Sequence, residues 1–116
     1  MARNLMVSRA GYKYYVEVYK PVYVKNEKLL PDSKIDDIFY AKIESDSIES
    51  IFIGQTKQNI NTKIISTKDD VKIKPDYYVV FDDELYIVAS PVDVKSIKSY
   101  GRAGIKETIM TIRRAV

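Results

Sequence analysis

The chain has 116 residues, 46% hydrophobic and 30% charged, with 19 basic against 16 acidic side chains and a net charge of +3. That length fits one domain with one core, and the composition is that of a folded protein rather than a disordered one. Cysteine and histidine are both absent, which excludes disulfides, thiolate nucleophiles, zinc sites built on Cys or His, and Ser-His-Asp or Cys-His machinery. Any catalysis would rest on carboxylates, lysine, arginine, tyrosine or hydroxyls, which disfavours an enzyme without excluding one, and no cofactor is expected. The mild basic excess is compatible with weak phosphate contact and supports no nucleic-acid function by itself. No apolar run approaches the roughly 20 residues that span a bilayer. The stretch MARNLMVSRAGYKYY has basic residues but no secretory apolar region of about 7–15 residues. We therefore expect a protein made and kept in the cytoplasm, without a membrane partner.

Residues 1–11 show little pattern and read as a loose arm on a single domain spanning 1–116. Tyr14, Val16 and Val18 alternate with Lys13, Glu17 and Lys20, a first strand. Pro21 interrupts it, and Val22 and Val24 alternate just after, which suits a bent or edge strand because proline cannot donate to a sheet ladder. Asn26–Asp37 is polar, contains Pro31 and reads as a loop. Phe39, Ala41 and Ile43 oppose Tyr40, Lys42 and Glu44 in a clear strand.

Ser45–Gln58 is ambiguous. Ser45 or Asp46 would cap a short helix, whereas Ile51-Phe52-Ile53 followed by Gly54 suggests an irregular strand or exposed hairpin. We read a long loop with some strand character. Ile60–Thr67 is a further strand with Ile60 and Ile64 on one face. Asp69 and Asp70 mark a turn, and Val71 and Ile73 lead to Pro75.

The last third carries the strongest signal. Tyr77–Phe81 and Leu85–Ser90 are apolar runs separated by Asp82-Asp83-Glu84, which is hairpin chemistry. A long polar excursion containing SYGRAG follows. Glu107–Arg114 then alternates, with Met110 and Ile112 opposite Glu107, Thr111 and Arg113. The sum is an all-β domain, a small barrel or sandwich of about six to eight short strands with long loops and at most a short helix. Tyr77–Phe81 and Leu85–Ala89 are apolar on both faces, so their outer faces need cover from a loop or from a neighbouring subunit.

Three features invite chemistry. Asp36-Asp37, Asp69-Asp70 and Asp82-Asp83-Glu84 could bind a hard cation or act as acid and base. Each sits where a turn is expected, however, and Asp favours turns by bonding local backbone. The 10 tyrosines, interleaved with lysine near the N-terminus, could stack bases as on an OB-fold. They serve equally as strand and interface residues. Ser99–Gly104 places Arg102 between two glycines but lacks the spacing of a phosphate-binding loop, so Tyr100 and Arg102 are assigned to a flexible loop between strands.

Three segments line up in order: Asp37-Ile38-Phe39-Tyr40-Ala41-Lys42-Ile43, then VKIKPDYYVVFDDELYIVASPVD, then the terminal KETIMTIRR. Together, over roughly residues 36–115, they resemble the head-closure or head-tail joining (head-tail connector) proteins of tailed bacteriophages. Tyr40-Ala41-Lys42-Ile43 stands in that family's first hydrophobic motif, with Tyr40 where tryptophan is usual. Val79, Phe81, Asp82, Tyr86 and Val88 fall in the second. The stretch through Lys34 is longer than the family pattern.

The resemblance implies a small β-barrel without enzymatic activity that forms a homo-oligomeric ring at the head-tail interface of the virion. Its partners would be the portal or connector above, a tail completion or terminator protein below, and packaged double-stranded DNA, held without sequence preference. A tail terminator or other tail-tube adaptor is the neighbouring alternative, and an OB- or SH3-like nucleic-acid-binding module the more distant one. Ser45–Gln58 exceeds ordinary hairpin loops in length, and its apolar trio would be costly in water. We therefore expect Ile51, Phe52, Ile53, Gln55 and Lys57 to make inter-subunit or channel contacts.

Overall fold

In the computed structural model, which describes residues 11–69, 71–99 and 102–115, the alternating runs become the walls of a barrel. The strands are β1 (Tyr14–Tyr19), β2 (Pro21–Val24), β3 (Lys28–Pro31), β4 (Asp37–Ile53), β5 (Thr56–Thr67), β6 (Tyr78–Phe81), β7 (Glu84–Ser99) and β8 (Arg102–Arg114). Six of them close antiparallel in the order β1-β4-β5-β8-β7-β6, while β2 and β3 form a separate two-stranded sheet. The all-β expectation is met, and no α-helix occurs among the described residues.

Alternation decides what lies inside. Val16 and Val18 of β1, Phe39 and Ala41 of β4, Ile65 of β5, Val79 and Phe81 of β6, Tyr86 and Val88 of β7, and Met110 and Ile112 of β8 fill the barrel. Val71 and Ile73, from the segment between β5 and β6, close over this core. Each such aliphatic or aromatic group, fully buried, contributes on the order of 1.5–3 kcal/mol. Ile60 and Ile64 do share a face, but it is the outer one. Ile64 is exposed there while Ile60 is buried, and the β5 residue inside the barrel is Ile65.

Several sequence expectations are corrected. Asn26–Asp37 is not one loop: a 3-10 turn, Lys25–Glu27, leads into β3, which returns along β2 in register from Pro21↔Pro31 to Val24↔Lys28. Val22 and Val24 supply that strand, and Leu29 and Leu30 are its short apolar partners. The acidic break between β6 and β7 is two residues long, since Glu84 already pairs with Phe81. Asp82 (φ 54°) and Asp83 (φ 61°) both lie in the left-handed region, the signature of a type I′ turn.

The largest correction concerns the two long polar stretches, both of which are paired strands. β4 and β5 are in register from Ser45↔Ile64 to Ile53↔Thr56, so the expected long loop Ser45–Gln58 is a two-stranded ribbon turning at Gly54-Gln55. Gly54 takes φ +67° there, as the first central position of a type II′ turn requires. The polar excursion after Ser90 is likewise ribbon: β7 and β8 remain paired through Ile97↔Ile105 to Ser99↔Arg102. Arg102 is therefore a strand residue and not part of a flexible loop, while Tyr100, like residues 1–10 of the expected arm, lies outside the described residues.

These ribbons leave the barrel at opposite ends. β5 and β8 run antiparallel and pair only from Thr62↔Arg113 to Thr67↔Thr108. Beyond the first pair β5 continues with β4 alone, and beyond the second β8 continues with β7 alone. The molecule is accordingly elongated, 52 × 29 × 26 Å. A β-bulge starts the first ribbon: the register slips between Ile43 and Ser45, and the extra residue, Glu44, accepts a hydrogen bond from Ser66 Oγ at 2.6 Å.

Candidate functional site

Past the last β5–β8 pair, the β4–β5 arm has six residues on its outgoing strand, Ile48–Ile53, and so extends roughly 20 Å. Cross-strand partners define its two faces. One carries Ile48, Ser50 and Phe52 opposite Asn61, Asn59 and Lys57; the other carries Glu49, Ile51 and Ile53 opposite Ile60, Gln58 and Thr56. Phe52 is 71% exposed and Ile48 67%, Ile53 is 45% exposed, and Ile51 is half-buried. Gln55 and Lys57 are exposed, and Lys57 makes no ion pair among the described residues. Ser50 Oγ donates to Asn59 Oδ1 at 2.9 Å across the ribbon. A two-stranded ribbon wet on both faces has little else but such pairs and its ladder to hold it.

The arm is fixed at its root by charges. On the outer face Arg113 Nε donates to Glu49 Oε1 at 2.9 Å, and Thr62 Oγ1 donates to the same oxygen at 3.3 Å. On the inner face Lys63 Nζ bonds Asp46 Oδ2 at 2.8 Å and stands 5.8 Å and 6.0 Å from the ring centres of Phe81 and Tyr86. Burial alone lowers the Lys63 pKa, but the hydrogen bond and charge of Asp46, with Tyr86, outweigh it and leave the ammonium raised. Arg114 covers Tyr86 from another side at 6.0 Å and pairs with Glu84 at 2.9 Å. These groups plug the barrel mouth from which the arm leaves.

Near the same mouth, on the opposite flank from β8, lies an open cleft of about 350 Å³ lined by Lys13, Tyr14, Tyr15, Glu17, Val80, Asp82 and Asp83. β1 starts here because Tyr14 pairs with Ala41 and Val16 with Phe81, which brings the β6–β7 turn beside the first tyrosines. Tyr14 stacks on Phe81 at 5.3 Å, Tyr15 meets Tyr40 edge-on at 5.7 Å, and Lys13 Nζ lies over the Tyr14 ring at 5.8 Å. Glu17 accepts from Tyr19 Oη at 3.0 Å. Asp82 and Asp83 are exposed and make no ion pair among the described residues. A second groove, of about 260 Å³, runs between Ile60, Tyr78, Ile87, Arg113, Arg114 and Ala115. Its floor is partly covered from within the chain, because Tyr78 Oη donates to the Leu29 carbonyl of the β2–β3 sheet at 3.0 Å. β6 thus receives part of its outer cover from that small sheet.

The acidic clusters take up turn and backbone work. Asp69 Oδ2 accepts from the Tyr40 N–H at 2.8 Å, and Asp37 Oδ1 accepts from the Ile38 N–H at 2.8 Å. Asp36 pairs with Lys20 at 3.6 Å. Among the described residues no three or more His, Cys, Asp or Glu side chains gather to hold a metal. The tyrosines do not form one platform: Tyr12, Tyr78 and Tyr86 are buried, while Tyr15 lies on the barrel wall and Tyr23 on the small sheet. Sequence reasoning missed Lys63, although its spacing two residues before core Ile65 marks it as inward-pointing. It also missed the cleft, whose walls come from residues 13–17 and 80–83 and have no local signature.

No protein-family model matches the chain. No curated protein matches its sequence. Among solved structures, the fold is similar to that of the phage-like element PBSX protein xkdH from Bacillus subtilis, with a TM-score of 0.58 over 87% of this chain and 92% of that one, at 8% identity. At that identity the likeness is one of fold.

Proposed function

We propose that this protein is a non-enzymatic structural component of a tailed-bacteriophage virion, a ring-forming subunit at the head-tail interface. The observation that carries this reading is the architecture: a closed six-strand barrel with a paired ribbon leaving each end, one ribbon tipped by exposed Phe52 and Ile53. A closed barrel has no edge to offer, so its contacts with neighbours must come from side chains and arms. Arms at both ends suit a subunit that joins one body above to another below. The fold shared with a protein of a phage-like element and the sequence resemblance to head-tail joining proteins support the same assignment. In it, the ring extends the channel beneath the portal, holds packaged DNA through non-specific contacts, and presents a surface to the tail.

The test is direct. The protein should be present in purified virions, and mixing it with portal-connector complexes should add a ring visible by electron microscopy beneath the connector. Absence from virions would end the structural assignment. A ring found on the tail instead would make it a tail terminator or tube adaptor.

A further inference from the structure

The arm tip and the cleft are complementary surfaces of one chain that cannot meet within one copy. The tip offers one large aromatic group, Phe52, 71% exposed, with the cationic Lys57 directly across the ladder from it. Lys57 is the single charge between Ser50 and Asn59. The cleft offers what those two groups lack: the partly exposed rings of Tyr14 and Tyr15 and the side of Val80, rimmed by three carboxylates, Glu17, Asp82 and Asp83, against one cation, Lys13, which lies over the Tyr14 ring. Its volume of about 350 Å³ accommodates a phenyl ring. The cleft lies at the mouth from which the arm departs, because Tyr14 pairs with Ala41, two residues before the β4 bulge that follows Ile43. The tip stands roughly 30 Å farther out, so it is out of reach of its own cleft.

We propose that the tip of the β4–β5 arm docks in the Tyr14–Tyr15 cleft of a second copy, Phe52 against the tyrosines and Lys57 toward Asp82 and Asp83. The two surfaces differ, so the contact is heterologous, and repetition of it gives a closed ring when the rotation between copies divides a full turn. The aromatic group supplies a desolvated anchor. The charges fix its orientation. This inference rests on the self-assembly part of the proposed function and names the contact that would build the ring.

The absence of cysteine gives the test a clean background. Gln55→Cys and Lys13→Cys, each exposed and each leaving Phe52, Lys57, Tyr14, Tyr15, Asp82 and Asp83 in place, are made separately and together, then treated with a short bis-maleimide. An equal mixture of the single variants should yield linked dimers, and the double variant a ladder of higher multimers. Phe52→Ser should remove the linkage. Asp82→Asn with Asp83→Gly, which suits the type I′ turn better than the native pair, should weaken linkage roughly tenfold without lowering the melting temperature. Rings seen by microscopy without 13–55 linkage overturn the contact and leave the ring intact. Linkage confined to single chains, or none at any soluble concentration, overturns it too. Linkage in a protein absent from virions keeps the contact and removes the virion assignment.

Discussion

Asp82 and Asp83 occupy a turn that asks both for positive φ, a conformation that costs an ordinary residue about 1 kcal/mol and an Asn-Gly pair far less. Asp82→Asn with Asp83→Gly should therefore raise stability by about 1 kcal/mol in urea titration, and a loss would mean that the aspartates hold the turn in another way. The buried phenols set a pH limit. Burial is the first cause that raises the pKa of Tyr12, Tyr78 and Tyr86. Lys42 and Lys63 also end up raised, because their partners outweigh the lowering by burial. Groups with folded pKa values above their unfolded ones contribute stability that is full below about pH 10 and is lost as pH rises through the folded values. Urea midpoints should hold from neutral pH to about pH 9 and fall above about pH 10, and Tyr86→Phe should make that fall shallower. Midpoints flat across the alkaline range would contradict the burial of these rings.

At the scale of elements, barrel strands were legible and arms were not, for one reason. Tyr14–Val18, Phe39–Ile43 and Glu107–Arg114 each bury one face, so apolar residues recur with period two. Past Ile43 burial is confined to the root of the ribbon, at Ile60 and Thr62, and farther out both faces meet water, so little selects for alternation. Ser50–Asn59 and Lys63–Asp46 pairing across strands cannot be recognised until the strands are known to face each other. The apolar trio at 51–53 stood out in the sequence by composition, yet its position at the end of a ribbon did not. Replacing Ile51, Phe52 and Ile53 together with Ser should leave the far-ultraviolet β spectrum intact and change stability by about 1 kcal/mol or less, the range of surface substitutions. It should also abolish assembly. A variant that unfolds would place the trio in the core. Arg113→Ala, which removes the brace on Glu49, should cost at most about 1 kcal/mol but raise amide exchange along Ser45–Ile53 ahead of the barrel strands.

For the whole molecule, the radius of gyration is 15.5 Å, against about 13 Å for a compact chain of this length. The arms account for the excess. Excising residues 48–61 and joining Ser47 to Thr62 through Asn-Gly should bring the radius measured by X-ray scattering down toward the compact value while the barrel still unfolds cooperatively. A chain that fails to fold would show the ribbon to be part of the core. Strand order was the least legible property, because pairing β1 with β6 and β5 with β8 depends on barrel closure and not on any local signal. That order has a consequence for synthesis. β8, the eighth strand in chain order, is the stave between β5 and β7. Until Thr108–Arg113 leave the ribosome, the sheet is split open along two raw edges, and no earlier portion of the chain can be sealed. The barrel therefore closes only once β8 is in place, and a chain cut short of it is an open sheet. Nascent chains stalled before Thr108 has emerged should be cleaved rapidly by added protease, and chains in which Arg114 has emerged should resist it.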